Sequence, residues 1–313
     1  MKKKIKILLA SPRGFCAGVK RAIEIVELAI EKYGPPIYVR HEIVHNKRVV
    51  EDLIKKGAVF VEELDEIPRG SRVIFSAHGV AKKIKYQAKE FQHMTIDATC
   101  PLVSKVHKQT ENYFKKNHKI ILIGHKGHPE VVGIQGQIKE DLVIIQNEQE
   151  ADSLKLDKDI KIAYVTQTTL SLDDTSNIIK ILKRKFPNII GPDLDDICYA
   201  TQNRQAAASD LAENSDLVLV IGAENSSNTQ RLVEIVRKKN TKAYRIGSVK
   251  EINEKWLNNI TRIGITAGAS SPEVLIVEVI KFLQNLFEEI DVKTMDGVVE
   301  NIKFKPLLSF SQF

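Results

Sequence analysis

Short apolar runs rich in β-branched residues alternate along the chain with segments of helical periodicity. Directly after Cys16, apolar residues recur at helical spacing from Val19 to Ile30, and Gly34 and Pro35 end that pattern. The clearest strands are expected at 5–10, 37–40, 72–76, 119–123, 161–165, 217–221 and 262–266. This alternation predicts an α/β protein with mainly parallel sheets.

The three cysteines reveal an internal repeat. Cys16, Cys100 and Cys198 each directly precede a helical pattern. Each predicted helix leads to a strand that ends in a polar loop, and the loop residues lie 29, 28 and 28 residues after the respective cysteine. These loops carry His45 in the first case, His128 and Glu130 in the second, and Ser226, Ser227 and Asn228 in the third.

A second strand and polar loop follow in each case. These loops carry His78, Thr168 and Ser270, which lie 62, 68 and 72 residues after their cysteines. The chain therefore reads as three similar α/β units, called repeats below, around a pseudo-threefold centre. We expect them at 1–97, 98–196 and 197–313, the last with a C-terminal tail.

The polar loops fall at the carboxyl ends of parallel strands, where α/β proteins bind ligands. If the repeats pack around a common axis, the three thiols can converge. Three thiolates suit a closed zinc site with a histidine as fourth ligand. They also suit a [4Fe–4S] cluster that leaves one iron open to substrate, and only this second centre gives the polar loops a role.

The loop residues indicate an anionic substrate and proton transfer. Hydroxyl, amide and backbone N–H groups of the third repeat form a good phosphate cradle, and His45, His78 and His128 lie in the polar loops of the first two repeats. Glu130 is a candidate general acid. Because Pro129 disfavours the α conformation at His128, "GHPE" is expected to be an extended turn.

Composition and charge narrow the class of protein. The chain has 313 residues, no apolar run long enough to span a membrane, and a net charge of +7 from 47 basic and 40 acidic residues. The basic excess is spread along the chain without an arginine-rich run, which favours an anionic ligand or an acidic protein partner over nucleic acid. Three cysteines without a secretion signal argue for a reducing, cytoplasmic location.

Nine short motifs, in order from about Ile7 to about Ser271, resemble the 4-hydroxy-3-methylbut-2-enyl diphosphate reductase family of the non-mevalonate isoprenoid pathway. The tail after about residue 290 carries no recognisable site motif. The motifs are "PRGFCAGV", "RHEIVHN", "FSAHGV", "DATCPLV", "GHKGHPE", "TQTTLS", "DDICYAT", "NSSNTQRL" and "TAGASSPE".

The resemblance implies an oxygen-sensitive [4Fe–4S] reductase that forms isopentenyl and dimethylallyl diphosphate, with ferredoxin or flavodoxin as electron donor. It implies that Cys16, Cys100 and Cys198 hold the cluster. It also implies that His128 and Thr168 order the substrate hydroxyl and that Glu130 delivers protons. The diphosphate would be held by His45, His78, Ser226, Ser227, Asn228 and Ser270.

Two other functions stay open at this point. The first is a hydro-lyase that uses the open iron to dehydrate a hydroxy acid without external electrons, although such a site should carry cationic groups for a carboxylate. The second is a zinc-stabilised basic binding protein without catalytic activity.

Overall fold

The computed structural model describes residues 4–157 and 160–307. These residues form strands and α-helices that alternate along most of the described sequence. The strands are β1 (Lys4–Leu9), β2 (Ile37–Arg40), β3 (Ala58–Val61), β4 (Arg72–Phe75), β5 (Met94–Asp97), β6 (Lys119–Ile123), β7 (Val143–Ile145), β8 (Ile162–Thr166), β9 (Leu217–Ile221), β10 (Lys242–Ile246), β11 (Arg262–Ala267) and β12 (Glu289–Thr294). The helices are α1 (Ala17–Tyr33), α2 (Lys47–Lys56), α3 (Lys82–Glu90), α4 (Pro101–Lys115), α5 (Pro129–Gln135), α6 (Glu148–Ser153), α7 (Leu172–Lys185), α8 (Tyr199–Glu213), α9 (Ser227–Lys238) and α10 (Glu273–Leu286).

A five-stranded parallel sheet has the order β10-β9-β11-β1-β12. Strand β9, which lies between β10 and β11, reads LVLVI and is buried throughout, as expected of a strand covered on both faces. Leu217, Leu219 and Ile221 face a core that includes α10. Val218 and Val220 face the opposite core, which α8 and α9 form. Helices therefore cover both faces of this sheet.

Two smaller parallel sheets have the orders β3-β2-β4-β5 and β7-β6-β8. Ile190 adds a parallel bridge to Ala163 beside β8. In all three sheets, the strand that follows the cysteine helix (β2, β6 or β9) lies between the next two strands along the chain. This common order confirms the predicted fold class of three similar α/β units with parallel sheets.

The strand that opens the chain lies in the sheet of the third repeat. β1 pairs with β11 on one side and with β12 on the other, in parallel register along its length. The first sheet in chain order, β2 to β5, consists of residues after Cys16. The boundaries 1–97, 98–196 and 197–313 stay a prediction.

The seven expected strands are all present, with ends within a residue of their predicted positions. α1 begins at Ala17 and ends at Tyr33, as the glycine and proline after it predict. The expected extended turn at "GHPE" is half wrong. His128 is extended (φ −64°, ψ 134°), but Pro129 and Glu130 form the first turn of α5. Proline is well suited to that position, because the first helical N–H has no intrahelical acceptor.

The described chain divides into two compact units. The first comprises residues 4–17, 45–47 and 199–303 and contains the five-stranded sheet. The second comprises residues 18–44, 48–157, 160–198 and 304–307 and contains the two smaller sheets. No helix among the described residues combines the length and the apolar character that crossing a membrane requires.

Candidate active site

Each cysteine lies at the start of a long helix. Cys16 directly precedes α1, Cys100 is the N-cap residue of α4, and Cys198 directly precedes α8. All three are half-buried, and none of these described cysteines forms a disulfide bond. Anionic sulfur is favoured at such positions because the helix dipole places partial positive charge there.

The backbone of each cysteine is held by the loop after a second strand of a sheet. The N–H of Cys16 donates to the carbonyl of Ala269 at 3.2 Å. The N–H of Cys100 donates to Ala77 at 3.0 Å, and that of Cys198 donates to Thr168 at 3.1 Å. Ala77 and Ala269 directly precede His78 and Ser270, while Thr168 is itself a predicted site residue. Each predicted second-loop residue is therefore fixed next to the backbone of a cysteine.

These positions suit an iron–sulfur cluster. Within residues 4–157 and 160–307, no group of three or more His, Cys, Asp or Glu side chains is arranged to hold a single metal ion. A [4Fe–4S] cluster requires a different arrangement, because each cysteine binds its own iron atom. All three cysteines are half-buried, and the backbone of each is fixed by the same type of hydrogen bond, so each is suited to bind one iron atom.

Glu130 is buried in the second compact unit and is held by Thr168. The backbone N–H of Thr168 donates to Oε1 of Glu130 at 2.7 Å, and its hydroxyl donates to Oε2 at 3.0 Å. Glu130 is 2% exposed. Its own backbone N–H donates to Nδ1 of His128 at 3.2 Å, which caps α5. The structure thus joins three predicted site residues in one hydrogen-bonded group.

Burial raises the pKa of Glu130 to about 7, against the opposing effect of the two hydrogen bonds from Thr168. The charge of Asp196 adds to the increase in this pKa. Asp196 accepts a hydrogen bond from the N–H of Thr166 at 3.2 Å, and burial raises its own pKa to about 6. A carboxyl group with a pKa near 7 can hold and release a proton at neutral pH.

His78 and His128 lie close together. Their ring centroids are 6.1 Å apart, with the rings nearly perpendicular. Nδ1 of His78 lies 3.4 Å from the hydroxyl of Ser76. Gly79 has a φ of +82°, and a Cβ there would lie 2.6 Å from the ring of His107. The loop that carries His78 therefore depends on glycine at this position.

In the first compact unit, the N-terminus of α9 carries the predicted polar residues. The hydroxyl of Ser226 caps the helix by accepting from the N–H of Thr229 at 3.3 Å. Asn228 is 3% exposed, and neither its Oδ1 nor its Nδ2 has a hydrogen-bond partner among the described residues. A buried amide without partners costs free energy, so this side chain is suited to a polar ligand.

Ser270 and His45 are also brought together in this unit. The hydroxyl of Ser270 donates to the backbone carbonyl of His45 at 2.9 Å, across 225 residues of sequence. Gly14, two residues before Cys16, has a φ of +65°, and a Cβ there would lie 2.9 Å from the carbonyl of Ser271. The Cys16 loop and the Ser270 loop therefore pack backbone to backbone.

Sequence reasoning missed two buried groups. Asp196 lies in the quoted motif "DDICYAT", yet nothing in the sequence separates it from the neighbouring Asp195, which is exposed. Arg204, 1% exposed, binds Glu300 of the C-terminal tail through two hydrogen bonds of 2.8 and 3.2 Å and donates to the carbonyl of Gly14 at 3.0 Å. The burial of Arg204 on α8 and its partner 96 residues away have no local signal.

Comparison with known proteins identifies the family. The family described as "LytB protein" matches residues 7–284. The chain belongs to this family. A 4-hydroxy-3-methylbut-2-enyl diphosphate reductase of Burkholderia pseudomallei (strain 1026b) is 52% identical over 301 residues, covering 96% of each chain. The enzyme of the same name from Nitrosomonas europaea is 50% identical over 308 residues, covering 96% of this chain and 95% of its own.

Two solved structures of diphosphate reductases resemble the chain. The E-1-hydroxy-2-methyl-but-2-enyl-4-diphosphate reductase from Plasmodium falciparum superposes with a TM-score of 0.93 at 41% identity, covering 97% of this chain and 96% of its own. A second structure, an (E)-4-hydroxy-3-methyl-but-2-enyl diphosphate reductase, gives 0.64 at 28% identity, covering 90% of this chain and 99% of its own. These matches confirm the family resemblance drawn from the motifs and the expectation of an oxidoreductase.

Proposed function

We propose that the protein reduces 4-hydroxy-3-methylbut-2-enyl diphosphate to isopentenyl and dimethylallyl diphosphate. The names of its relatives support the substrate. The observation that carries the chemistry is the buried Glu130–Thr168 pair, whose Thr168 carbonyl also accepts the N–H of Cys198. A proton-carrying carboxyl group is thus linked through one residue to a thiol suited to a cluster.

Cys16, Cys100 and Cys198 are proposed as the ligands of one [4Fe–4S] cluster with one iron open to substrate. The bound cluster would supply one-electron transfer and Lewis-acid activation of the leaving oxygen. The equivalent backbone hydrogen bonds of the three cysteines support the assignment and the pseudo-threefold relation of the repeats.

The diphosphate is proposed to bind His45, His78, Ser226, Ser227, Asn228 and Ser270. The N-terminus of α9 supplies N–H groups and the positive end of the helix dipole, which favour an anion. The unpartnered amide of Asn228 supplies both a donor and an acceptor. By holding the diphosphate, these residues position the hydroxymethyl end for reaction, and His128 and Thr168 orient the hydroxyl.

Glu130 is proposed to carry the proton that converts the leaving hydroxyl to water. Oε1 faces the fixed N–H of Thr168, so that oxygen stays an acceptor. Oε2 faces the Thr168 hydroxyl, which can donate or accept, so the proton resides on Oε2. When Glu130 is protonated, Oε2 donates to Oγ1 of Thr168, and Oγ1 can pass its own hydrogen towards the substrate.

The reaction consumes two electrons and two protons. The allylic C–O bond breaks, one proton leaves with the hydroxyl as water, and the other is added at either end of the allyl unit to give the two products. The electrons are proposed to come from ferredoxin or flavodoxin, in keeping with the basic charge of the chain. A cytoplasmic location stays a prediction.

Two alternatives make different predictions. A hydro-lyase would need no external electrons, and a zinc-stabilised binding protein would contain zinc in place of iron and sulfide. The buried Glu130–Thr168 pair favours an enzyme over a binding protein. The predicted diphosphate site contains hydroxyl, amide and imidazole groups and no arginine, which favours a diphosphate over a carboxylate.

Anaerobic purification followed by assay tests the proposed function. We expect a brown protein with iron and acid-labile sulfide that converts the allylic diphosphate only when dithionite-reduced methyl viologen is present. A colourless protein with zinc would contradict the cluster. Dehydration of a hydroxy acid without reductant would instead favour the hydro-lyase.

A further inference from the structure

A groove of about 580 Å³ lies beside Cys100 in the second compact unit. We call it the α4 groove and define it by Arg21, Thr99, Pro101, Lys105, Lys108 and Leu307, which line it. Thr99 and Pro101 are the residues on either side of Cys100. The backbone flanking a proposed cluster ligand therefore forms part of a surface that a partner can reach.

The cationic groups of the α4 groove outweigh its carboxylates. Lys105 and Lys108 are one turn apart on α4 and are both exposed. Lys108 forms no ion pair with another residue that the structure describes, whereas Lys105 lies 3.9 Å from Asp196. Asp97 also lines the groove, but its carboxylate is paired with Lys85 at 2.7 Å.

Arg21 adds a fixed positive charge and holds the backbone next to Cys100. Its guanidinium donates to the carbonyls of Ala98 and Thr99 at 3.3 and 3.1 Å and to that of Lys305 at 3.1 Å. These acceptors are neutral, so the charge of Arg21 is retained. Leu307 is 64% exposed and gives the basic groove an apolar contact.

We propose that the α4 groove is the docking site for the acidic protein that supplies the two electrons, one at a time. This inference rests on the proposed function, because it requires Cys100 to be a cluster ligand. Electron transfer slows steeply with distance. A donor protein therefore transfers electrons faster if it docks where the backbone next to a cluster ligand, here Cys100, reaches the surface. Positive charge steers an acidic donor, and such electron-transfer contacts are small and short-lived.

The test compares a protein donor with a small one. The variants are Lys108→Glu and Lys139→Glu, the latter an exposed lysine of another groove in the same compact unit. Each enzyme is assayed with reduced plant-type [2Fe–2S] ferredoxin and with reduced methyl viologen. For Lys108→Glu we expect the KM for ferredoxin to rise about tenfold at low salt, since like charges then face each other. Viologen-driven turnover and iron content should match wild type.

Different results would overturn different statements. An unchanged ferredoxin KM in Lys108→Glu, or an equal increase in Lys139→Glu, would overturn the docking site. A wild-type protein inactive with methyl viologen would instead overturn the proposed function. If Lys108→Glu lost iron, Lys108→Gln would replace it, with an expected smaller increase in the ferredoxin KM.

In wild type, added salt should slow the ferredoxin-driven rate and leave the viologen-driven rate unchanged. An equal response of both rates would also reject the docking site.

Discussion

Glu130 retains a proton near neutral pH because its surroundings penalise the charged form. Burial raises its pKa, and the two hydrogen bonds from Thr168 offset only part of that increase. Oε1 accepts a hydrogen bond from a backbone N–H, which can only donate. Oε2 faces a hydroxyl group, which can donate or accept, so Oε2 is the oxygen that can exchange a proton. This asymmetry suits Glu130 to the proposed role of proton donor.

Replacing Glu130 by glutamine keeps the size of the side chain and removes the exchangeable proton. We expect kcat to fall about 10²- to 10⁴-fold, the usual contribution of a general acid, with iron content and substrate binding retained. Single-turnover assays with reduced methyl viologen and iron analysis would measure this. Thr168→Ser, which keeps the hydroxyl, is the control and should stay within about tenfold of wild type. A wild-type rate in Glu130→Gln would show that Glu130 is not the proton donor.

The same residue makes stability depend on pH. The folded protein binds a proton at Glu130 between pH 4.5, its ordinary pKa, and about 7, whereas the unfolded chain has already released it. Stability from this group is therefore full below pH 4.5 and is lost as pH rises towards 7. Glutamine does not titrate, so Glu130→Gln lacks this pH-dependent loss. Between pH 4.5 and pH 8, the unfolding free energy of the variant should therefore rise by up to about 3 kcal/mol relative to that of wild type.

Anaerobic urea unfolding of both proteins at the two pH values measures this difference. The exposed Glu140 provides the control, since Glu140→Gln should show no such dependence. A difference in unfolding free energy between wild type and Glu130→Gln that does not change with pH would contradict the raised pKa of Glu130.

The C-terminal tail contacts α8 through a partly buried ion pair. Arg204 is 1% exposed and Glu300 is 13% exposed, and Arg204 also binds the carbonyls of Gly14 and Ala200. One side chain thus links the tail, the first turn of α8 and the loop before Cys16. Removing Glu300 would leave the guanidinium with neutral acceptors only.

Glu300→Ala should destabilise the protein by about 3 kcal/mol, because it leaves the buried guanidinium of Arg204 without its charged partner. Loss of iron should accompany this change, since Arg204 also binds the Gly14 loop. Glu300→Gln keeps one hydrogen-bond acceptor and should cost less. Unfolding midpoints and iron content of the two variants measure the effect, and equal stability of Glu300→Ala and wild type would show that the pair contributes nothing.

Local sequence predicts the buried strands of this fold better than its edges. β9 and the other long apolar runs are recognisable, because strands covered on both faces need no polar residues. β12 reads EIDVKT and is almost entirely exposed, so its pairing with β1 depends on a partner about 285 residues away. The tail after about residue 290 carries no recognisable site motif, and Glu300 is recognisable only from its ion pair with Arg204.

The spacing of the cysteines predicted more of the candidate site than any single residue did. The loops that hold the cysteine backbones, through Ala77, Thr168 and Ala269, are the second polar loops of the three repeats. These hydrogen bonds link the repeats in a cycle. The second loop of the first repeat accepts from Cys100, that of the second repeat accepts from Cys198, and that of the third repeat accepts from Cys16. Asp196 could not be found this way, since its role depends on burial and not on spacing.

If the three cysteines are equivalent ligands of one cluster, each should matter equally. We expect Cys16→Ser, Cys100→Ser and Cys198→Ser each to lose most of the iron and sulfide, because a hydroxyl replaces the thiolate in a set of three. Ser104→Ala, one turn beyond Cys100 on α4, is the control and should retain the cluster. Iron and sulfide analysis of anaerobically purified variants measures this. Full cluster content in one of the cysteine variants would show that this cysteine is not a cluster ligand. The threefold arrangement would then not include that position, and another residue would have to bind the cluster.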